Sequence, residues 1–254
     1  MLTTIRALLC QLRRGMTRCL AFILAIPLLG PALAADNLVD LQLVLAIDAT
    51  SSVNEQRFEL QKRGYAAAFR NPQVIKAIMS GAEQSIAVTM FQWNGPFTQV
   101  QVVPWMMLKD TASAHAFADA IARSQRELFG GSGTSISGAI EYGVTLLSQS
   151  PYTSQRRTID ISGDGFDNTG RPITPTRDEA VRAGVSINGL PIIAWEPRLD
   201  QYYYNYVIGG PGAFMIPAAN YESFAEAIVK KLILEIAANP PPAGPWGAVL
   251  AHNR

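Results

Sequence analysis

Residues 41–52 read Leu-Gln-Leu-Val-Leu-Ala-Ile-Asp-Ala-Thr-Ser-Ser, an apolar run that ends in one carboxylate and three hydroxyls. A continuous apolar run bounded by polar turn residues suits a strand buried on both faces, the kind found in parallel sheets covered by helices. In open α/β sheets, ligand chemistry collects at the carboxyl ends of such strands. This segment therefore constrains both the architecture and the place where function is to be sought.

Alternate residues of an extended segment point the same way, so Asp48, Thr50 and Ser52 can converge three oxygens from five residues. Oxygen donors of this kind suit magnesium, which binds at about 2.0–2.1 Å and keeps several waters. The same three residue types are also ordinary turn and N-cap formers, so the spacing alone leaves both readings open.

Two further segments place oxygens at boundaries of the same type. Residues 130–135, Gly-Gly-Ser-Gly-Thr-Ser, form a glycine-rich loop before a helical pattern of Ile136, Ala139, Ile140, Val144 and Leu147. Residues 157–165, Arg-Thr-Ile-Asp-Ile-Ser-Gly-Asp-Gly, read as a strand ending in a carboxylate flanked by glycines.

Taken together, Asp48-x-Thr50-x-Ser52, Thr134 after a glycine loop and Asp164 in a Gly-Asp-Gly turn resemble the metal-ion-dependent adhesion site of a von Willebrand factor A domain. The resemblance spans roughly Val39 to Ala237. It implies metal ligands Asp48, Thr50, Ser52, Thr134 and Asp164, magnesium or manganese as the cation, and a protein partner that supplies an Asp or Glu. One departure is Thr50, where the family has serine; threonine keeps the hydroxyl and adds a stiff β-branch. More narrowly, residues 162–165, 187–192 and 207–214 resemble an uncharacterised group of exported bacterial proteins with this domain.

The remaining pattern alternates strands and helices, which predicts a three-layer, doubly wound, mostly parallel sheet with helices on both faces. Helices are expected over 55–69, from Pro72 through Ile78, over 112–126, from the glycine loop to Ser148, near 177–183 and over 221–237. Strands are expected over 85–92 and 98–103 as a hairpin around Asn94-Gly95-Pro96, giving one antiparallel edge, then over 157–162 and 185–193, with a short one at 213–216.

The sequence predicts a secretory leader over residues 1–34. Arg13, Arg14 and Arg18 precede an apolar stretch from Leu20 to Leu33, and Ala32-Leu33-Ala34 forms a small-x-small cleavage site; Met16 is an alternative start. Pro27, Gly30 and Pro31 interrupt the stretch, which is too short for a membrane span of about 20 residues. Removing the leader takes away four arginines and no acid, so the 21 basic residues fall to 17 against 20 acidic ones. The resulting charge of −3 gives no electrostatic case for nucleic acid. Both cysteines, Cys10 and Cys19, leave with the leader, which removes thiol chemistry and disulfides. The expectation is an exported protein, periplasmic or secreted, with a domain over 35–238 and a Pro-rich tail over 239–254 that contains Trp246.

Two secondary expectations concern residues beyond the ligand set. Asp160 shares a strand side with Ser162 and Asp164 and is expected to brace the metal loops through hydrogen bonds. Trp195, Tyr202, Tyr203, Tyr204 and Tyr206 follow a strand end, and Trp195, Tyr202, Tyr203 and Tyr204 form a candidate partner surface.

A hydrolase lacks its parts. The histidines are His115, in a helical stretch, and His252, in the tail; Gly-x-Ser-x-Gly and the phosphate-binding Gly-x-x-x-x-Gly-Lys do not occur. An aspartyl phosphatase would want an acid where Thr50 stands. The sequence therefore favours a non-enzymatic, metal-dependent binding module over a metal-independent envelope-assembly protein.

Overall fold

The structure is a computed structural model and describes residues 37–127 and 133–237. The expected leader, residues 130–132 of the glycine loop and the Pro-rich tail with Trp246 lie outside the described residues.

The 41–52 run becomes strand β1 (Gln42–Asp48), every residue of which is buried. Burying a Leu, Ile or Val side chain is worth about 1.5–3 kcal/mol, so β1 anchors the fold by composition alone. It sits at the centre of a five-stranded sheet of order β3-β2-β1-β4-β5. Strands β2 (Ile86–Trp93) and β4 (Arg157–Gly163) flank β1 in parallel, and β5 (Ser186–Pro191) lies parallel to β4. Strand β3 (Gln99–Leu108) returns from β2 as the antiparallel edge, as the hairpin sequence predicts.

One face of the sheet is covered by α1 (Glu55–Ala68), α2 (Pro72–Ile78), α3 (Thr111–Arg123) and α7 (Phe224–Ile236), around a core that includes Leu43, Leu45, Ile47, Phe58, Phe117 and Ile228. The other is covered by α4 (Ile136–Ser148), α5 (Ile173–Arg182) and a short α6 (Leu199–Tyr202) that runs into a π-helical turn at Tyr203–Val207. Helices α1 and α7 approach closely at Gly64, where a Cβ would come within 2.7 Å of the Phe224 ring. Asn54 caps α1, accepting from the Arg57 amide, and places the helix start just beyond the end of β1.

Three sequence expectations change. Strand β3 runs five residues past Val103 despite Pro104; an edge strand has one row of unpaired amides, so a missing N–H is tolerated there, and the register with β2 shifts around Met90. The expected strand at 213–216 is instead a set of isolated bridges along the outer edge of β5. Gly210 and Gly212, at φ 95° and 69°, bend the backbone out of extended form, and the Asn188 side chain accepts from the Phe214 amide in place of a ladder bond. Finally, α3 stops at Arg123, so that Arg126 turns inward and donates to the Thr50 and Val53 carbonyls.

Candidate metal centre

The carboxyl ends of β1 and β4 are neighbours in the sheet, and that adjacency brings together side chains 112 and 116 residues apart. The Asp48 Oδ1 accepts from the Thr50 amide at 2.7 Å, which turns the chain immediately after β1 and directs the next two hydroxyls to one side. The Thr50 and Ser52 hydroxyl oxygens lie 2.9 Å apart. Ser52 donates to Asp164 Oδ1 at 2.7 Å, and the Asp164 amide donates to Asp48 Oδ2 at 3.3 Å. Asp48, Thr50, Ser52 and Asp164 thus form one closed group of oxygens. Asp48, Thr50 and Asp164 are buried, whereas Ser52 is exposed and opens the group to solvent.

The close approach depends on Gly163. A Cβ there would stand 2.9 Å from the Tyr203 hydroxyl, 3.0 Å from Asp48 Oδ2 and 3.1 Å from the Trp93 ring, so no side chain fits. Beneath the group, Gln61 of α1 donates to the Asp48 carbonyl at 3.2 Å and accepts from Ser162 at 3.3 Å. Above it, Tyr221 donates its phenol to Asp164 Oδ2 at 2.9 Å.

Thr134 sits at the rim. Its backbone is clipped to the loop after β4 by two bonds with Asn168, of 2.8 and 2.9 Å, and its hydroxyl lies 3.8 Å from the position of a Cβ on Gly165. Among the described residues the Thr134 hydroxyl makes no hydrogen bond to the other four side chains. It faces their neighbourhood rather than joining them.

The electrostatics are those of uncompensated acid. Burial pushes the Asp48 carboxyl up to about 7 from 3.8, and the charge of Asp164 pushes in the same direction, against the amides of Thr50 and Asp164. The Tyr221 and Tyr203 phenols are raised by burial and by the same two carboxylates. Among the described residues no Lys, Arg or His forms an ion pair with Asp48 or Asp164. The Trp93 indole nitrogen and the Tyr203 hydroxyl, both against this group, have no hydrogen-bond partner there either. Two carboxylates and two hydroxyls without an internal cation are a donor set that fits a hard divalent ion. No cluster of three His, Cys, Asp or Glu side chains that could hold a metal occurs among the described residues, so any such centre here relies on hydroxyls.

Asp160 does not brace these loops. It is fully buried and paired with Lys231 of α7 at 2.7 Å; Lys231 also reaches Glu235, at 3.2 Å, and Glu235 accepts from the Asn188 amide group at 2.6 Å. Strand β4 does turn Asp160, Ser162 and the following Asp164 to one side, but the strand advances about 3.3 Å per residue, so Asp160 meets the middle of α7 instead of the strand ends.

The aromatic segment divides. Tyr203 is completely buried, under Gly163 and Gly189, and cannot contact a partner, because the π-helical turn rolls it inward. Tyr202 is half-buried, accepts from the Asp167 amide at 3.2 Å and stacks edge-on against Phe166. Trp195 and Tyr204 are exposed, at 63% and 38%.

Sequence reasoning passed over Gln61, Arg57 and Tyr221. Gln61 carried a signal, being a polar residue on the buried stripe of α1 with Phe58 and Tyr65. Nothing local marks Tyr221, which reaches the group only through the fold, whereas Arg57 reaches back five residues from the first turn of α1 to the Ser52 carbonyl.

Residues 38–240 match a family described as a protein of unknown function, DUF1194. The chain belongs to that family. No curated protein matches the sequence. Solved structures match in fold: proximal thread matrix protein 1 from the mussel byssus with a zinc-occupied MIDAS motif is 14% identical, with a TM-score of 0.56 over 78% of this chain and 48% of that one. A von Willebrand factor type A protein from Catenulispora acidiphila is 14% identical, with a TM-score of 0.52 over 78% and 43%. The vWF domain of the type V pili tip protein Mfa5 from Porphyromonas gingivalis is 11% identical, with a TM-score of 0.50 over 79% and 97%. This DUF1194 chain therefore has the von Willebrand factor A fold, and it spans about half the length of the mussel protein.

Proposed function

We propose that this protein is an exported, metal-dependent protein-binding module, periplasmic or secreted, whose partner supplies an Asp or Glu side chain to a bound divalent cation. The observation that carries the reading is the closed group of Asp48, Thr50, Ser52 and Asp164, buried acid with no internal cation beside it. Magnesium is the cation the oxygen donors favour, with manganese as a substitute. A bound cation would neutralise the two carboxylates and offer an open coordination position to an incoming carboxylate.

The chain's own residues have separable roles. Asp48 and Asp164 would supply charge, Thr50 and Ser52 neutral oxygens, and Thr134 a further hydroxyl from the rim. Tyr221 and Gln61 hold the acid and the backbone in place. Exposed Trp195 and Tyr204 provide contact area for the partner. The zinc-occupied motif of the mussel protein and the pilus-tip neighbour support an adhesive or assembly role. Among the described residues the histidine is His115, which is exposed and lines a groove with Arg70, Ile75 and Met79, none of them from the strand-end group, so the described residues lend a Ser-His-Asp hydrolase no support.

Calorimetric titration of magnesium and manganese tests the reading directly. Binding in the unaltered protein that disappears in folded Asp48→Ala and Asp164→Ala proteins is the expected result. A protein that binds neither ion, or an Asp164→Ala variant that binds as well as the original, would refute it.

A further inference from the structure

Beside the oxygen group lies a groove of about 350 Å³, lined by Asn54, Arg57, Leu60, Trp195, Asn220 and Glu222 among others. Arg57 occupies it in an unusual state. Its guanidinium stands 4.8 Å from the centre of the Trp195 ring and 5.6 Å from that of Tyr221, so two aromatic faces hold it. Its Nη1 donates to the Ser52 carbonyl at 2.7 Å. Among the described residues no carboxylate pairs with Arg57, and its Nε and Nη2 have no hydrogen-bond partner.

We propose that Arg57 forms a second carboxylate subsite next to the metal centre, so that the partner segment carries two acidic side chains, adjacent or one residue apart. One acid meets the strand-end group and the other meets the free edge of the guanidinium. The proposal rests on the metal-centre reading and adds to it a specificity element made by this chain.

A guanidinium binds a carboxylate through two parallel N–H donors, and the Nε–Nη2 edge is such a fork. Fixing the third nitrogen to Ser52 and holding the guanidinium against two rings removes much of the rotamer freedom that an exposed arginine would lose on binding. Ser52 contributes its hydroxyl to the oxygen group and its carbonyl to Arg57, so the two subsites are separated by a single residue. That spacing sets how far apart the two acids can be. Tyr221 ties both together, donating to Asp164 while lying under the guanidinium.

The test uses two capped peptides, Gly-Asp-Gly-Glu-Gly and Gly-Asp-Gly-Gln-Gly, titrated into the protein with saturating manganese or magnesium and again with chelator. The diacidic peptide is expected to bind about tenfold more tightly, the effect of one charge-assisted bidentate contact. Arg57→Gln should abolish that preference, read as the ratio of the two peptide affinities in metal-saturated protein. Arg57→Lys, which keeps the charge without the fork, should retain only part of it. Equal affinity for both peptides in metal-loaded protein, or a preference that survives Arg57→Gln, would overturn the subsite. A preference that depends on Arg57 but persists in chelator would leave the subsite standing and overturn the metal reading instead.

Discussion

Strand β4 delivers acid to two places, and the two are built on opposite principles. At its middle, Asp160 is buried with Lys231 and Glu235, a cation set between two carboxylates on the facing helix. Just past its end, Asp164 is buried beside Asp48 with hydroxyls and amides but no cation. The first cluster is balanced by the chain itself and belongs to the core. The second carries acid that forms no ion pair with Lys, Arg or His among the described residues, and on this difference the proposed metal centre rests.

The contrast fails first if the internal cation proves dispensable. Lys231→Met strands two buried carboxylates, and losing one partner of a buried pair costs about 3–5 kcal/mol. Chemical denaturation should show a loss of that order, largely recovered when Asp160→Asn and Glu235→Gln are added. Equal stability of the single variant would mean that the two clusters do not differ in kind.

Supplying the missing cation at the other end should do the reverse. Ligand at a hundred times its dissociation constant stabilises a native state by about 2.7 kcal/mol, so magnesium or manganese should raise the melting temperature of the unaltered protein. It should leave those of Asp48→Ala and Asp164→Ala where they are.

Proton linkage separates the two regions further. Burial, and after it the charge of Asp164, raises Asp48 to about 7. Burial also raises Glu235 from 4.5 to about 7, against the attraction of Lys231. Both acids hold protons more tightly folded than unfolded. Their contribution to stability is therefore greatest at and below the ordinary carboxylate range and is lost as pH rises from about 4 toward 7. Denaturation of metal-free protein across that window should show the decline. Glu235→Gln should remove its share at any metal concentration, whereas magnesium should offset the share of Asp48 and do so more at pH 8 than at pH 5.5.

The supports of the two regions should matter least. Tyr221→Phe deletes one hydrogen bond to Asp164 and should cost about 1 kcal/mol in denaturation and about tenfold in metal affinity. Trp195→Ala should change stability by no more than about 0.5 kcal/mol, since the ring is largely exposed.

The strand-end acids were legible in the sequence because Asp48 closes an apolar run and Asp164 sits between glycines at the end of a second strand pattern, and a carboxylate in that position lies at the carboxyl end of a buried strand. The sheet followed from the same runs and from the turn at Asn94-Gly95. What escaped was whatever depends on a partner far along the chain. Lys231 and Glu235 lie on the same helical stripe as Ile228 and Leu232, and a charged pair spaced four apart on an apolar face was the available sign that a buried acid awaited them. Tyr203 looked like its exposed neighbours because four tyrosines in a row of five give no period, and only the π-helical turn decides which one faces inward.

One edge of the sheet is occupied by residues 209–218 along β5, and the other, β3, is interrupted by Pro104 and a register shift. On the β5 side the isolated bridges take up part of the outer backbone, and on the β3 side Pro104 splits the row of unpaired amides into two shorter runs. Strand addition by another chain would consequently find only short stretches of free backbone at either border.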